Sequence, residues 1–354
     1  MPNLMSSIEV LGLNTLDHDE WNTFVMEAIN GTVFNTIEWI KVWQNSFPNA
    51  TPLFIVLREK EIQSAIPLIK IRKAGFTNYY SMPYGDYGGI LSNPKSQAPS
   101  PNYSQVEALF SQLSKLAKGR WGTIAISDFY DTAKDLESIG VQKVKTTTHI
   151  LTLADNYQEI WGKLIPLKRQ LVRQSQRKGV EIVKVKDEQD VVECYKMLEE
   201  TAVRHGKRKP RFKLNFYLNI FNEMGKYLRW TMATVEQKKL ATSICFAYKD
   251  TLTYWDGGAY SNALEYRPND ALMWDGIKWG SENRYEHFNL GGSPSKGLAR
   301  FKEKWGAKTK DYWTYYLQSA GFKIAKYLIG KFKVQSSKFK TPRLLRIHPS
   351  IRGE

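Results

Sequence analysis

Apolar and polar positions recur along this chain at two periods, and the changes of period mark out its elements. The first stretch is helical: Asp17 and Asp19 can start one helix, and Thr36 can cap a second that carries Glu38-Trp39-Ile40-Lys41-Val42-Trp43 up to Pro48. Strand-like runs follow at 54–58 and 65–71, joined by a polar turn as a hairpin. An aromatic-glycine loop over 79–89 then leads into a short strand. A helix over 105–118 and a strand over 123–127 complete the first half. The second half predicts a long helix over 157–178, stopped by Gly179, and a strand at 180–185. Helices at 188–204 and 214–224 come next, then a meander at 230–235, 241–248 and 252–255. A helix over 271–282 and a strand over 287–290 close the periodic part.

One pattern is used twice. LFIVLREKEIQSAIPLI (53–69) and WTMATVEQKKLATSICF (230–246) share a hairpin profile, and each leads to an aromatic strand ending in Gly-Gly. A length of 354 residues also suits two domains. The expected division is 1–150, 151–318 and a basic tail, 319–354, with the boundary in the polar Thr146-Thr147-Thr148 region or just after 150–153. In the tail, 322–334 carries an apolar stripe at helical spacing, for which docking on the protein body is the expectation and a membrane surface or nucleic acid the alternatives.

The densest candidate chemistry lies in 254–306. A strand ends in Asp256-Gly257-Gly258, and a loop with Arg267-Pro268-Asn269-Asp270 opens the next helix. The strand after it breaks at Gly291-Gly292, and the stretch closes on Phe301-Lys302-Glu303-Lys304-Trp305-Gly306. A helix N-terminus after a strand offers bare N–H groups to a polar or anionic ligand. Together with a lysine behind a glycine break, it suits acyl transfer without a covalent enzyme intermediate, the cation stabilising the oxyanion.

Composition narrows the rest. Two cysteines, each in an apolar run, make a disulfide framework implausible and a reducing cytoplasm the default. The five histidines have no metal-ligand spacing, and no P-loop, G-x-G-x-x-G or H-E-x-x-H occurs, so no metal, hydride or kinase chemistry is expected. No apolar run reaches the roughly 18 residues of a membrane span. The net charge of +16 is concentrated in 163–178, 204–213 and 320–354, which points to a polyanionic partner. Solvated basic faces are the plainer alternative.

The order Arg204-His205-Gly206, Arg267-Pro268-Asn269-Asp270, FNLGG (288–292) and GLARFKEKWG (297–306) resembles the Fem-type peptidyltransferases FemA, FemB and FemX, over about 32–316. These are tandem domains of the GNAT superfamily. The resemblance implies an α+β fold of two GNAT-like domains, each a mixed sheet flanked by helices, here without the coiled-coil arm of FemA and FemB. It places Phe301 and Lys302 at the reaction centre. It matches Trp39 and Lys41 to a Trp-x-Lys helix whose lysine meets substrate phosphate, and leaves a second phosphate contact open among Arg208, Lys209 and Arg211. Lys168, Arg169 and Arg173 match a basic stretch facing tRNA or precursor. Tyr84, Asp86, Asp256, Arg267, Asn269, Gly291 and Gly292 complete the expected substrate-binding set.

By this resemblance no cofactor is permanently bound. The expected donor is an aminoacyl-tRNA, and the expected acceptor is an amine of a phosphate-bearing, peptidoglycan-type envelope precursor. The superfamily's Q/R-x-x-G-x-G/A signature is replaced by Leu264-Glu265-Tyr266-Arg267-Pro268-Asn269-Asp270, which weakens an acyl-CoA donor. An acyl-CoA-dependent N-acyltransferase acting on an amino sugar is therefore the alternative, and a non-catalytic protein binding an anionic ligand the second. A cytoplasmic location is expected, with peripheral membrane contact through 319–354 left open.

Overall fold

The computed structural model of the chain describes residues 7–93, 103–117, 121–133, 136–137, 141–293 and 295–324. The first half runs β1 (Ser7–Leu11), α1 (His18–Glu27), α2 (Ile37–Ser46), β2 (Ala50–Arg58), β3 (Ile62–Lys73), β4 (Phe76–Ser81), β5 (Leu91–Ser92), α3 (Tyr103–Leu116), β6 (Trp121–Asp128) and β7 (Gln142–Thr152). The second runs α4 (Tyr157–Lys163), α5 (Pro166–Arg177), β8 (Glu181–Lys184), α6 (Glu188–Arg204), α7 (Leu214–Glu223), β9 (Leu228–Val235), β10 (Lys238–Tyr248) and β11 (Thr251–Ala259). It ends with α8 (Pro268–Glu282), β12 (His287–Gly292), α9 (Lys296–Glu303) and β13 (Lys308–Gln318).

Local chemistry explains most of these bounds. The Asp17 carboxylate accepts from the N–H groups of Asp19 and Glu20 and starts α1; the Thr36 hydroxyl accepts from Trp39 N–H and starts α2. The single helix expected over 157–178 is two, because Pro166 cannot continue a helix and serves instead as the first residue of a new one. Residues 79–81 finish β4 and are not loop. β1, too short to show a period, was not foreseen; it pairs with β2 at the sheet edge. The expected boundary near 150 falls inside β7. Of the helical stripe at 322–334, only 322–324 is among the described residues.

All strands join one sheet in the order β1-β2-β3-β4-β6-β13-β7-β12-β11-β10-β9-β8, with β5 beside β3. Each half contributes an antiparallel hairpin, a third strand and a parallel neighbour reached through a helix: β4 beside β6 through α3, and β11 beside β12 through α8. The last strands are exchanged. β7 of the first half pairs with β12 of the second, and β13 of the second pairs with β6 of the first. β7 and β13 also pair with each other, so the exchange fuses two sheets into one.

The faces of the sheet alternate in burial, as a period of two requires. Phe54 and Val56 face a core shared with α1, α2, α6 and α7, while Ile55 and Leu57 face the core under α3. On the second half, Cys245 and Leu252 pack under α4, α5 and α8. Across the halves α2 lies against α7, where Asn219 donates to Ser46 Oγ at 2.8 Å and Asn45 to Glu223 at 2.9 Å. Among the described residues no helix is long and apolar enough to cross a membrane.

Candidate active site

The two parallel strand pairs differ where they part. β11 and β12 are paired over Thr251–Thr253 against His287–Asn289; beyond that β11 runs on to Ala259 paired only with β10. In the first half the equivalent gap is filled by the chain itself. Gly88 N–H donates to Ser127 O at 2.7 Å, Gly89 N–H to Ser81 Oγ at 3.3 Å, and a Cβ on Gly88 would collide with the Ser81 carbonyl. Residues 87–89 are buried in consequence, whereas 254–257 and 291–292 are partly or fully exposed. Only the second gap is left for a ligand.

Lys302 stands at that gap. It is 5% exposed, and its ammonium donates to the carbonyls of Gly291 at 2.9 Å and Gly292 at 2.7 Å. An ammonium has three donors, so one remains. Burial lowers its pKa to about 8, so near neutral pH it is still mainly a cation. Gly291 adopts φ +74°, a left-handed conformation that lets the chain turn its carbonyl onto the lysine. A buried network fixes this corner: Asn289 accepts from Gly291 N–H and Thr148 and donates to Tyr87, which donates to Thr148. His149, beside Ser293 at 3.3 Å, is held toward its neutral form by burial and by the Lys302 charge.

Two carboxylates, Asp86 of the first half and Asp256 of the second, meet at Trp255. Asp86 is buried, accepts from Trp255 Nε1 at 3.2 Å, and keeps its second oxygen without a partner among the described residues. Burial pushes its pKa up to about 7, against the pull of the Arg211 guanidinium. Asp256 accepts from the Tyr217 hydroxyl at 2.8 Å and from Gly257 N–H at 2.9 Å; burial raises its pKa too, again opposed by Arg211. Arg211 itself is exposed, so one guanidinium overlooks both acids from the rim. Tyr84, exposed at φ +61° and stacked on Trp43, forms another part of the rim with Phe212. Asp86, Asp256, Arg211 and Tyr84 are thus brought together, while Arg208 and Lys209 are exposed without a described contact to them.

Two expected contacts need correction. Trp39 is fully buried, its ring edge-on to Phe34, Phe246 and Trp255, and is core. Lys41, two residues on, points away from that core; it is half-buried and in no ion pair among the described residues, a placement that does not contradict the expected phosphate contact. Lys168 is not a surface cation: it is 3% exposed, paired with Asp270 at 2.6 Å, and sits over the rings of Phe301 at 4.1 Å and Trp305 at 4.6 Å. It positions Phe301 and does not meet an outside phosphate. Arg169 and Arg173 remain at the surface of α5. Arg267 and Asn269 are exposed at the start of α8. Tyr217, Trp255, Tyr87 and Asn289 were missed as individual residues; Tyr217 sits in an apolar run without a signal, whereas Asn289 lies inside FNLGG, Tyr87 inside the aromatic-glycine loop, and Trp255 adjoins Asp256.

Each half thus holds a parallel strand pair bridged by a helix, and in the second the strands part beyond Asn289 with Lys302 beside the parting, an arrangement of the GNAT type of fold. Residues 167–303 match the family model described as an acetyltransferase (GNAT) domain. Similar solved structures include FemX, at 14% identity over 91% of this chain and 99% of that one, TM-score 0.71. L-PGS from Bacillus licheniformis is similar at 12% identity over 90% and 97%, TM-score 0.57. A tandem GNAT protein from the clavulanic acid biosynthesis pathway is similar at 12% identity over 88% and 98%, TM-score 0.57. At such identities the likeness is one of fold, and the fold is the tandem GNAT fold. No curated protein matches the chain in sequence.

Proposed function

We propose that this acyltransferase moves an aminoacyl group from a charged tRNA onto an amine of a phosphate-bearing envelope precursor. The observation that favours this donor over acyl-CoA is the start of α8. Its first residue is Pro268, which has no N–H, and the N–H groups of Asp270 and Ala271 already donate to Arg267 O. A diphosphate seated there would find few free backbone donors. An aminoacyl ester needs no such cradle, since its carrier can be held by the exposed basic residues around the site. The likeness in fold to FemX supports the same reading.

In the proposed step the neutral acceptor amine attacks the ester carbonyl carbon, and as the C–N bond forms the nitrogen passes a proton to Asp86, whose raised pKa suits a base near neutral pH. The remaining Lys302 donor stabilises the oxyanion; as it collapses, the C–O bond to the ribose breaks and the proton held by Asp86 is returned to the departing ribose oxygen. Arg211, in reach of both acids, would pair with the precursor's phosphate at the rim.

Binding of charged tRNA, measured by mobility shift across a salt series, tests the donor. Affinity falling steeply with salt is the expected result. The absence of any shift at low salt, with calorimetric binding of acetyl-CoA, would move the assignment to the acyl-CoA reading that the acetyltransferase domain match favours.

A further inference from the structure

The corner where α4 meets α5 leaves two large aliphatic side chains in water, Ile165 at 40% and Leu167 at 44% exposure. Exposed aliphatics are ordinary when scattered singly. These two share their corner with a half-buried aromatic group: Trp161 and Trp274 lie 4.7 Å apart, with Tyr157 against Trp274. Cations interleave with the rings. Arg173 lies over Trp161 at 5.6 Å and Lys278 over Tyr157 at 5.2 Å, while Arg169 ties α5 to α4 through Gly162 O at 3.1 Å. From Lys163 through Lys178 the run contains no acidic residue; the carboxylates around the patch include Asp155 and Glu159, which come before the corner, and Glu282, which pairs with Lys278 at 3.7 Å.

We infer that this corner is a docking surface for an anionic lipid bilayer. Two features decide against nucleic acid. Bases bind by stacking on open ring faces, but the faces of Trp161 and Tyr157 are already covered by cations, and Trp161 and Trp274 lie against each other. Aliphatic tips gain nothing from a hydrated phosphate backbone, whereas they gain by entering the boundary between headgroups and acyl chains. Half-buried tryptophans and tyrosines with basic neighbours suit that same depth. The surface sits on the outer side of α5, and Lys168 on its inner side fastens it to Phe301. Docking would hold the reaction centre close to a membrane, whichever acyl donor is used.

Sedimentation of the full chain with vesicles of phosphatidylcholine, with and without a quarter of phosphatidylglycerol, tests this. The wild type should partition at least tenfold better onto the anionic vesicles. The double variant Ile165→Ser/Leu167→Ser, at exposed positions and therefore folded, should lose about tenfold or more of that partition. Arg169→Glu/Arg173→Glu should lose a comparable amount. Brominated acyl chains should quench tryptophan fluorescence in the wild type and less in Trp161→Phe. Undiminished partition of the Ser variant would overturn the proposal, because charge alone, including the basic tail, would then account for binding. So would weakened tRNA binding by the Glu variant with vesicle binding unchanged.

Discussion

Lys302 combines two properties that rarely coincide in a lysine, burial and a spare donor. Its stem is enclosed, two of its protons are committed to the Gly291 and Gly292 carbonyls, and the third has no described partner. Lys302→Met keeps the stem and removes the charge, and turnover should fall about 10²- to 10³-fold with the melting curve intact. With Asp86 near 7 and Lys302 near 8, kcat/KM should be bell-shaped, its limbs in that range. Asp86→Asn should remove the acidic limb, and a retained limb would reject Asp86 as the base. The same carboxyl sets a stability trend. The folded protein keeps the Asp86 proton up to about 7, whereas the unfolded chain releases it near 3.8, so stability falls as pH rises between those values. Thermal melts of Asp86→Asn should show less of this slope and a higher Tm at pH 8. The placement of Lys302 beside Gly291 and Gly292 was legible in sequence because a glycine-broken strand precedes it; Lys168 was misread because a basic helix run does not say which of its members turns inward.

At the scale of the element, α5 acts as a clasp. Three of its residues, Lys168, Val172 and Ser175, face inward at helical spacing, and the first of them is a cation. Burial lowers the Lys168 pKa while Asp270 opposes that shift, so the charge persists on the strength of one partner. Asp270→Asn should therefore cost about 3–5 kcal/mol in chemical denaturation, because it strands a buried charge. Lys168→Met/Asp270→Leu should recover much of the loss, and equal losses in the single and double variants would show that the pair is not the cause. The cation also holds Phe301, so the single variant should reduce turnover at temperatures where it is still folded. Helix starts were readable from Asp17 and Thr36 because capping is a local bargain between neighbours. The break at Pro166 was also readable in principle. The splay of β11 from β12 was not, since it depends on strands more than 30 residues apart in the chain.

For the whole molecule, the repeated hairpin profile was visible because it is local and recurs, while the exchange of final strands was not, because both candidate partners present similar apolar alternation. β13 has neighbours on both sides, β6 and β7, each contributed by the other half. A chain ending at residue 306 should therefore lose its cooperative thermal transition in both halves, and a sharp residual transition for the first half would contradict this. Strand exchange also governs how the protein can move. Jaws joined by a flexible link can gape to admit a cargo, but here the joint is a ribbon of hydrogen bonds running through the middle of the molecule. Reactants must then enter and leave by the open mouth beside β11, and any gating falls to the loops around it, such as the one that presents Tyr84.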